Sequence, residues 1–323
     1  MKKIAAAALT TMMLCSSAFA MDINDKLSIS GTVEVEAGYT DDGTKKTDDI
    51  SLATAEVAID GTLRDGVSGH ILYAWDDEAS EFSVDEAYIA LEKNNLFMNA
   101  GKQVVPFGRL ETEMISDPLA LEIAEIHETA VTAGWADSGF TVYGYALNGS
   151  LEEKGEDDKS RVFGGGAEYE KEGLFRVGVQ YINRLPEADS FRDHLNGKTL
   201  LDIPGGVAAH AEATMGPVLV RAEGVKSLDD VKIEGGADVS ELAVYGVEAV
   251  YGTELLGRET TFAAGYQWTD DAEFMELAET RIQALVRTDL GDGLALAAEY
   301  AHDTNYGSAK DADSLTLQLG LEF

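Results

Sequence analysis

The sequence has one cysteine, Cys15, so no disulfide can form within the chain. Proline is nearly as scarce, at 5 residues, which leaves no proline-rich segment. Positive charge is also short. There are 24 Lys and Arg against 59 Asp and Glu, a formal charge of −35. That balance excludes nucleic acid as a partner, because phosphate binding needs a basic face. Beyond residue 20, no apolar stretch approaches the roughly 20 residues of a spanning helix. A helical membrane protein is therefore excluded too.

The first residues do carry a pattern. Lys2 and Lys3 are followed by an apolar run from Ile4 to Leu14, and Ala18-Phe19-Ala20 ends it. This is the layout of a secretory signal peptide over residues 1–20, with cleavage expected after Ala20. Cys15 lies inside it, so the exported chain has no cysteine. An exported chain without disulfides is stabilised in some other way. Closing a sheet on itself, so that every ladder hydrogen bond is made, is one such way.

The last ten residues, Ser314-Leu315-Thr316-Leu317-Gln318-Leu319-Gly320-Leu321-Glu322-Phe323, alternate polar and apolar and stop on an aromatic. Period two marks a strand with one wet and one greasy face. The same alternation recurs along the chain. Leu27, Ile29, Gly31, Val33, Val35, Ala37 and Tyr39 share one face of the first segment. A charged loop, Asp41 to Asp49, precedes a return strand with Ala55, Val57, Ile59, Gly61 and Leu63 on one face.

Short turns are expected at Arg64-Asp65-Gly66, Lys93-Asn94-Asn95, 136–139, 171–173, Gly216-Pro217, 254–257 and 291–293. Longer polar connections alternate with them, near 77–82, 107–128, 148–160, 184–206, 226–240, 269–278 and 304–313. Short turns at one end and long loops at the other are the sequence form of an outer-membrane barrel. The fold expected for 21–323 is all-β. It is a transmembrane antiparallel β-barrel of about 16 strands with both chain ends on the periplasmic side.

Two further patterns agree. Trp75, Trp135 and Trp268 close their segments on the apolar face, as interfacial aromatics do. Charged and amide residues such as Glu56, Glu86, Arg176, Gln180, Glu223, Glu248 and Glu299 fall on the other parity. In a soluble sandwich that polar face would be the outside.

The connection after the fifth strand is unusual. Arg109 to Glu128 is long and carries Met114, Ile115, Leu119, Leu121 and Ile123, with a helix-compatible stretch from Pro118 to Glu125. A surface loop this apolar is expected to fold into the barrel and constrict it. Its charges are Arg109, Glu111, Glu113, Asp117, Glu122, Glu125 and Glu128. Acids lining a narrow lumen favour cations. Lys102, Arg176, Arg221, Arg281 and Arg287 are read as lumen-wall cations. Acids on the loop facing arginines on the wall are expected to set a transverse field.

Gly101-Lys102-Gln103 with Pro106-Phe107-Gly108, then Ile115-Ser116-Asp117-Pro118-Leu119, then Glu128-Thr129-Ala130-Val131, resembles the LbtU-type siderophore porins. The Gly-Lys-x-x-x-Pro-Phe-Gly segment is also similar to the wider group of substrate-selective porins. The resemblance implies diffusion of small solutes through an outer-membrane barrel, with an iron–siderophore complex as the specific solute. It carries no ligand-contact residues with it. The alternative is a general cation-preferring porin. With Met21 leading into the first strand, this reading leaves no place for a plug domain.

An enzyme barrel is set aside. His70, His127, His194, His210 and His302 stand in no signature that pairs a nucleophile with a base. Gly164-Gly165-Gly166 precedes a strand, not a helix, and is read as a place where the wall is closely approached. Asp41-Asp42 with Asp48-Asp49, and Glu152-Glu153 with Asp157-Asp158, lack EF-hand spacing, so no metal site is assigned. No catalytic residue or cofactor is expected. The expected partners are outer-membrane lipid, a small solute or ferric siderophore, and other copies of the chain as a homo-oligomer. Phe323 is the expected handle for the barrel assembly machinery.

Overall fold

The structure, a computed structural model, describes residues 21–76, 81–156, 161–307 and 309–323. The signal-peptide reading, Asp157-Asp158 and parts of the 77–82 and 148–160 connections lie outside the described residues. Sixteen antiparallel strands close into one barrel. The first half comprises β1 (Leu27–Asp41), β2 (Lys46–Arg64), β3 (Val67–Asp76), β4 (Glu81–Lys93), β5 (Leu96–Val104), β6 (His127–Asp137), β7 (Phe140–Asn148) and β8 (Arg161–Lys171). The second half comprises β9 (Phe175–Ile182), β10 (Gly206–Met215), β11 (Val218–Ser227), β12 (Ala243–Leu255), β13 (Arg258–Asp270), β14 (Thr280–Gly291), β15 (Leu294–Thr304) and β16 (Ala312–Glu322).

Each strand pairs with its neighbour in sequence, and β16 closes the ring on β1 with Leu319 opposite Val35. At the seam Gly31 and Phe323 exchange backbone hydrogen bonds of 2.8 and 3.0 Å. A Cβ on Gly31 would stand 2.6 Å from the Phe323 ring, so the terminal aromatic needs a glycine beneath it.

Alternation explains the two faces. Val33, Val35, Ile71, Val142, Val177, Ile282, Leu317 and Leu319 are exposed, as a lipid-facing belt must be. Aromatic pairs mark its edges. Phe140, Tyr169 and Phe175 cluster at the turn end, and Tyr245, Tyr266 and Trp268 stack at the loop end. No helix among the described residues is long and apolar enough to cross a membrane.

Two β-bulges alter the reading. The charged loop expected from Asp41 to Asp49 is mostly strand, since β2 begins at Lys46. Ala53 is an extra residue opposite the Glu34–Val35 step, and beyond it the faces exchange, which turns Ile50 outward at 74% exposure. Asp41 and Asp42 cap the short turn, accepting the N–H groups of Gly43, Thr44 and Lys45. Asp85 is the second extra residue, between Val84 and Glu86.

The glycine triplet in β8 is approached by tyrosines of β7, not by the inward loop. Tyr145 lies on Gly164 and Tyr143 on Gly166. Both tyrosines face the lumen, and Tyr143 then donates its hydroxyl to the Pro106 carbonyl at 3.1 Å.

Candidate functional site

The inward loop leaves the wall after β5 and returns at β6. In a ring of this order, the strands around β13 stand opposite β5. The loop's polar contacts lie on β11 to β15, so it crosses the lumen. Glu223 on β11 accepts the N–H groups of Arg109 and Leu110, the latter at 2.8 Å. Glu248 on β12 accepts the Thr112 hydroxyl and, at 3.1 Å, the Glu113 N–H. Glu299 on β15 accepts the N–H groups of Ile115 and Ser116 and the Ser116 hydroxyl. Gln267 on β13 accepts the Leu119 N–H at 2.7 Å.

An irregular loop placed inside a barrel has backbone donors with no ladder to join. Wall carboxylates supply acceptors, and charge-assisted bonds are the stronger kind. The expected helix shrinks to α1 (Leu121–Ala124), a single turn, because the backbone becomes extended at Glu125. Sequence reasoning placed Glu223, Glu248 and Glu299 on the wet face without assigning them to the loop. The missed signal was their recurrence on the lumen face of β11, β12 and β15, opposite an apolar inward loop.

The lumen-wall cations do not form an opposing bank. Arg221 and Arg287 both reach Glu113, at 3.6 and 3.2 Å, and hold that loop acid against the wall. Arg281 pairs with Asp303 at 2.7 Å and donates to the Asp117 carbonyl at 3.4 Å. Arg109 pairs with Glu111 inside the loop. Arg176 pairs with Glu170 beside the short turn into β9. Lys102 shares the outward face of Ile89 and Val131, and its ammonium reaches the Val84 carbonyl at 2.8 Å. The transverse field expected from the sequence is not assembled, because Arg221 and Arg287 are paired with the loop's Glu113, and Arg281 and Arg176 with the wall acids Asp303 and Glu170.

The loop's other side is acidic, and so is what it faces. Asp117 lies within electrostatic reach of Glu122 and of Glu34 and Glu36 on β1. Glu125 lies within reach of Asp117 and Asp85. Glu56 on β2 is in turn close to Glu34, Asp85 and Glu86. The bulge at Asp85 brings two successive acids of β4 into this group. The cations nearby are already engaged: Arg281 with Asp303, His70 with Asp60 at 2.7 Å, and His127 among Asp85, Glu125 and Asp189 at 3.5 to 3.8 Å. Burial pushes the Asp117 carboxyl above its ordinary value, and Glu122 adds to the shift. Burial also raises Glu125, to about 7, against the pull of His127 and with the push of Asp117.

The passage is off-centre. On the β7 to β13 side, the lumen and outer mouth are filled by an apolar core. Ile123 and Ile126 of the loop pack there with Phe191, Leu195, Leu200 and Leu242. Most of those partners come from the outer connections, including α2 (Asp189–Leu195). Glu187 repeats the wall's device, accepting the Ser150 and Leu151 N–H groups at 2.8 and 3.1 Å. A cavity of about 60 Å³ between loop and wall has room for a few waters. At the outer mouth an open depression of about 600 Å³ is lined by Asp230, Glu241, Asp270, Asp271 and Glu279 with Lys226.

The Gram-negative porin family matches residues 5–308. The chain belongs to the Gram-negative porins. Among relatives, the UPF0422 protein lpl2888 of Legionella pneumophila (strain Lens) is 22% identical over 363 aligned positions. That alignment takes in 92% of the porin and 66% of the relative. A UPF0422 protein of Coxiella burnetii (strain RSA 493 / Nine Mile phase I) is 23% identical, over 87% of the porin and 65% of its own length. The chain thus spans just under two thirds of the curated relatives it matches.

Solved structures share the fold. The anion-selective porin from Comamonas acidovorans superposes with a TM-score of 0.67 at 12% identity, covering 92% of this porin and 99% of that chain. The outer membrane channel DcaP of Acinetobacter baumannii gives 0.67 at 16% identity, covering 92% and 97%. At these identities the likeness shows the fold alone, which does not by itself set the sign of the ions passed. Family and fold identify a Gram-negative porin barrel of the outer membrane.

Proposed function

We propose that this porin admits small solutes with a preference for cations. The supporting observation is that carboxylates stand on both sides of the passage. Asp117, Glu122 and Glu125 are on the loop, and Glu34, Glu36, Glu56, Asp85 and Glu86 are on the wall. Of the nearby arginines, Arg221 and Arg287 are tied to Glu113 and Arg281 to Asp303. A narrow, low-dielectric passage of one sign raises the local concentration of the opposite ion and repels its own. The acid-lined depression at the outer mouth works in the same direction.

The test is the reversal potential of the refolded protein in a planar bilayer under a potassium chloride gradient. A cation-preferring potential that falls in the triple variant Asp117→Asn, Glu122→Gln, Glu125→Gln is the expected result. An anion-preferring or neutral potential in the wild type overturns the proposal.

A finer reading is passage of an iron–siderophore complex, supported by the resemblance around Pro106-Phe107-Gly108. The acid lining favours a complex of net positive charge. Concentration-dependent block of the conductance by a ferric siderophore supports it, and steady conductance without block removes it. We also propose that the chain is exported with residues 1–20 as its signal, that Phe323 is the handle for barrel assembly, and that barrels associate as homo-oligomers.

A further inference from the structure

We infer that Arg192 and Asp189, on the outer connection between β9 and β10, are positioning residues for the constriction. They grip the return leg of the inward loop and so fix where Glu125 stands in the passage. The inference rests on the reading of that passage given above.

The outgoing leg of the loop is tied by wall carboxylates from Arg109 to Ser116. The return leg is tied differently. The Asp189 N–H donates to the Glu125 carbonyl at 2.9 Å, and an Asp189 carboxylate oxygen accepts the His127 N–H at 2.9 Å. One residue therefore holds the chain on both sides of Ile126. The Ile126 carbonyl in turn accepts the Val105 N–H at 2.9 Å, which joins the leg to the end of β5. Arg192 lies one turn further along α2. It donates to Asp189 at 2.9 Å and to Glu128 at 3.0 Å.

Charge and packing both make this a coupled unit. Glu125, Glu128, Asp189 and Asp85 gather around His127, and Arg192 is the second cation among them. Without Arg192, Glu128 and Asp189 lose their shared counter-charge and the leg is pushed off α2. Burial tends to raise the Asp189 carboxyl, but the His127 hydrogen bonds and the Arg192 charge outweigh it and hold it below its ordinary value. Underneath, Phe191 and Leu195 share one core with Ile123 and Ile126. A helix of seven residues has little stability of its own, so α2 and the loop stand or move together.

The experiment compares the full-length refolded wild type with Arg192→Ala, Arg192→Lys, Asp189→Asn and the exposed control Asp193→Ala. Three readouts are taken: the heat-modifiable gel shift of a folded barrel, the rate of closures in single-channel records, and the reversal potential. Arg192→Ala is expected to fold, to close about tenfold more often, and to lose part of its cation preference. Arg192→Lys is expected to recover only part, since a compact ammonium lacks the planar guanidinium's reach and fixed donor geometry. Asp189→Asn is expected to resemble Arg192→Ala, and Asp193→Ala the wild type.

Folded Arg192→Ala and Asp189→Asn with wild-type closures and potential would overturn the inference. If Arg192→Ala does not fold, the isosteric Asp189→Asn decides alone. A wild type without cation preference sinks the proposed function, while the closure rates still judge the positioning role.

Discussion

Glu248 on β12 and Glu56 on β2 are the same residue type on the same face of one barrel, in opposite circumstances. Glu248 accepts the Thr112 hydroxyl and the Glu113 N–H and lies 3.8 Å from the Arg221 guanidinium. Glu56 meets Glu34, Asp85 and Glu86. The first is an anchor whose charge is used up by donors of the loop. The second adds to a field that passing solutes meet. What separates them is where the loop lies. It crosses to β11–β15 and leaves the β1–β4 wall facing the passage. A lumen acid therefore has no fixed role until the loop has chosen a side.

The sharpest way to break that comparison is to remove an anchor. Glu299→Ala leaves the Ile115 and Ser116 donors without their acceptor. A loss of roughly 2–4 kcal/mol in unfolding free energy is expected, together with protease cutting within 109–119. Unchanged stability and an uncut loop would show that the wall carboxylates are not tethers.

Packing on the filled side is tested by Gly164→Ala, whose new Cβ meets the Tyr181 carbonyl and the Tyr145 ring. A loss of about 1–3 kcal/mol is expected in thermal unfolding of the heat-modifiable band. Gly252→Ala, with open space around it, is the control and is expected to change little.

Neutralising the open wall as Glu34→Gln, Glu36→Gln, Glu56→Gln and Glu86→Gln together is expected to lower the cation-to-anion permeability ratio several-fold at nearly constant stability. A stability loss as large as that of Glu299→Ala would mean these acids are anchors too, and the contrast would fail.

A smaller effect comes from pH. Glu125 ionises near 7, so its charge is lost as pH falls through that value. Cation preference is expected to be weaker at about pH 6 than at about pH 8, and Glu125→Gln to flatten the change. The raised value also gives the sign for stability. Below 7 the folded state is relieved of a buried charge that the unfolded chain keeps down to 4.5. This group therefore makes the fold more stable as pH falls between those values.

The smallest effect is reserved for the exposed pair Lys226–Glu241, at 2.9 Å. Glu241→Gln is expected to leave stability unchanged within the scatter of the unfolding measurement.

Alternation made the barrel legible: Ser314 to Phe323 reads as a closing strand before any partner is known, and β16 is one. Turns such as Gly216-Pro217 and Gly291-Asp292-Gly293 fall at the ends of β10 and β14 because their backbone needs positive φ there. The bulges at Ala53 and Asp85 were not legible, since one added residue exchanges faces without changing composition. Lys102 was misplaced for a related reason. A charged residue next to a glycine at φ 145° was read as facing inward, whereas strand register turns it outward and its long stem carries the ammonium to a carbonyl.

The sequence by itself determined the class of the fold, its strand order and the presence of one apolar loop inside it, because period-two patterning and turn chemistry act between near neighbours. Tertiary structure alone decided which charges cancel. The loop's Glu113 meets Arg221 and Arg287 across more than a hundred residues of chain, and its Asp117 meets Glu34 instead. Coulomb and hydrogen-bond energies depend on distance in space, so which acids the loop covers and which it faces was decided only when it lay down on one wall.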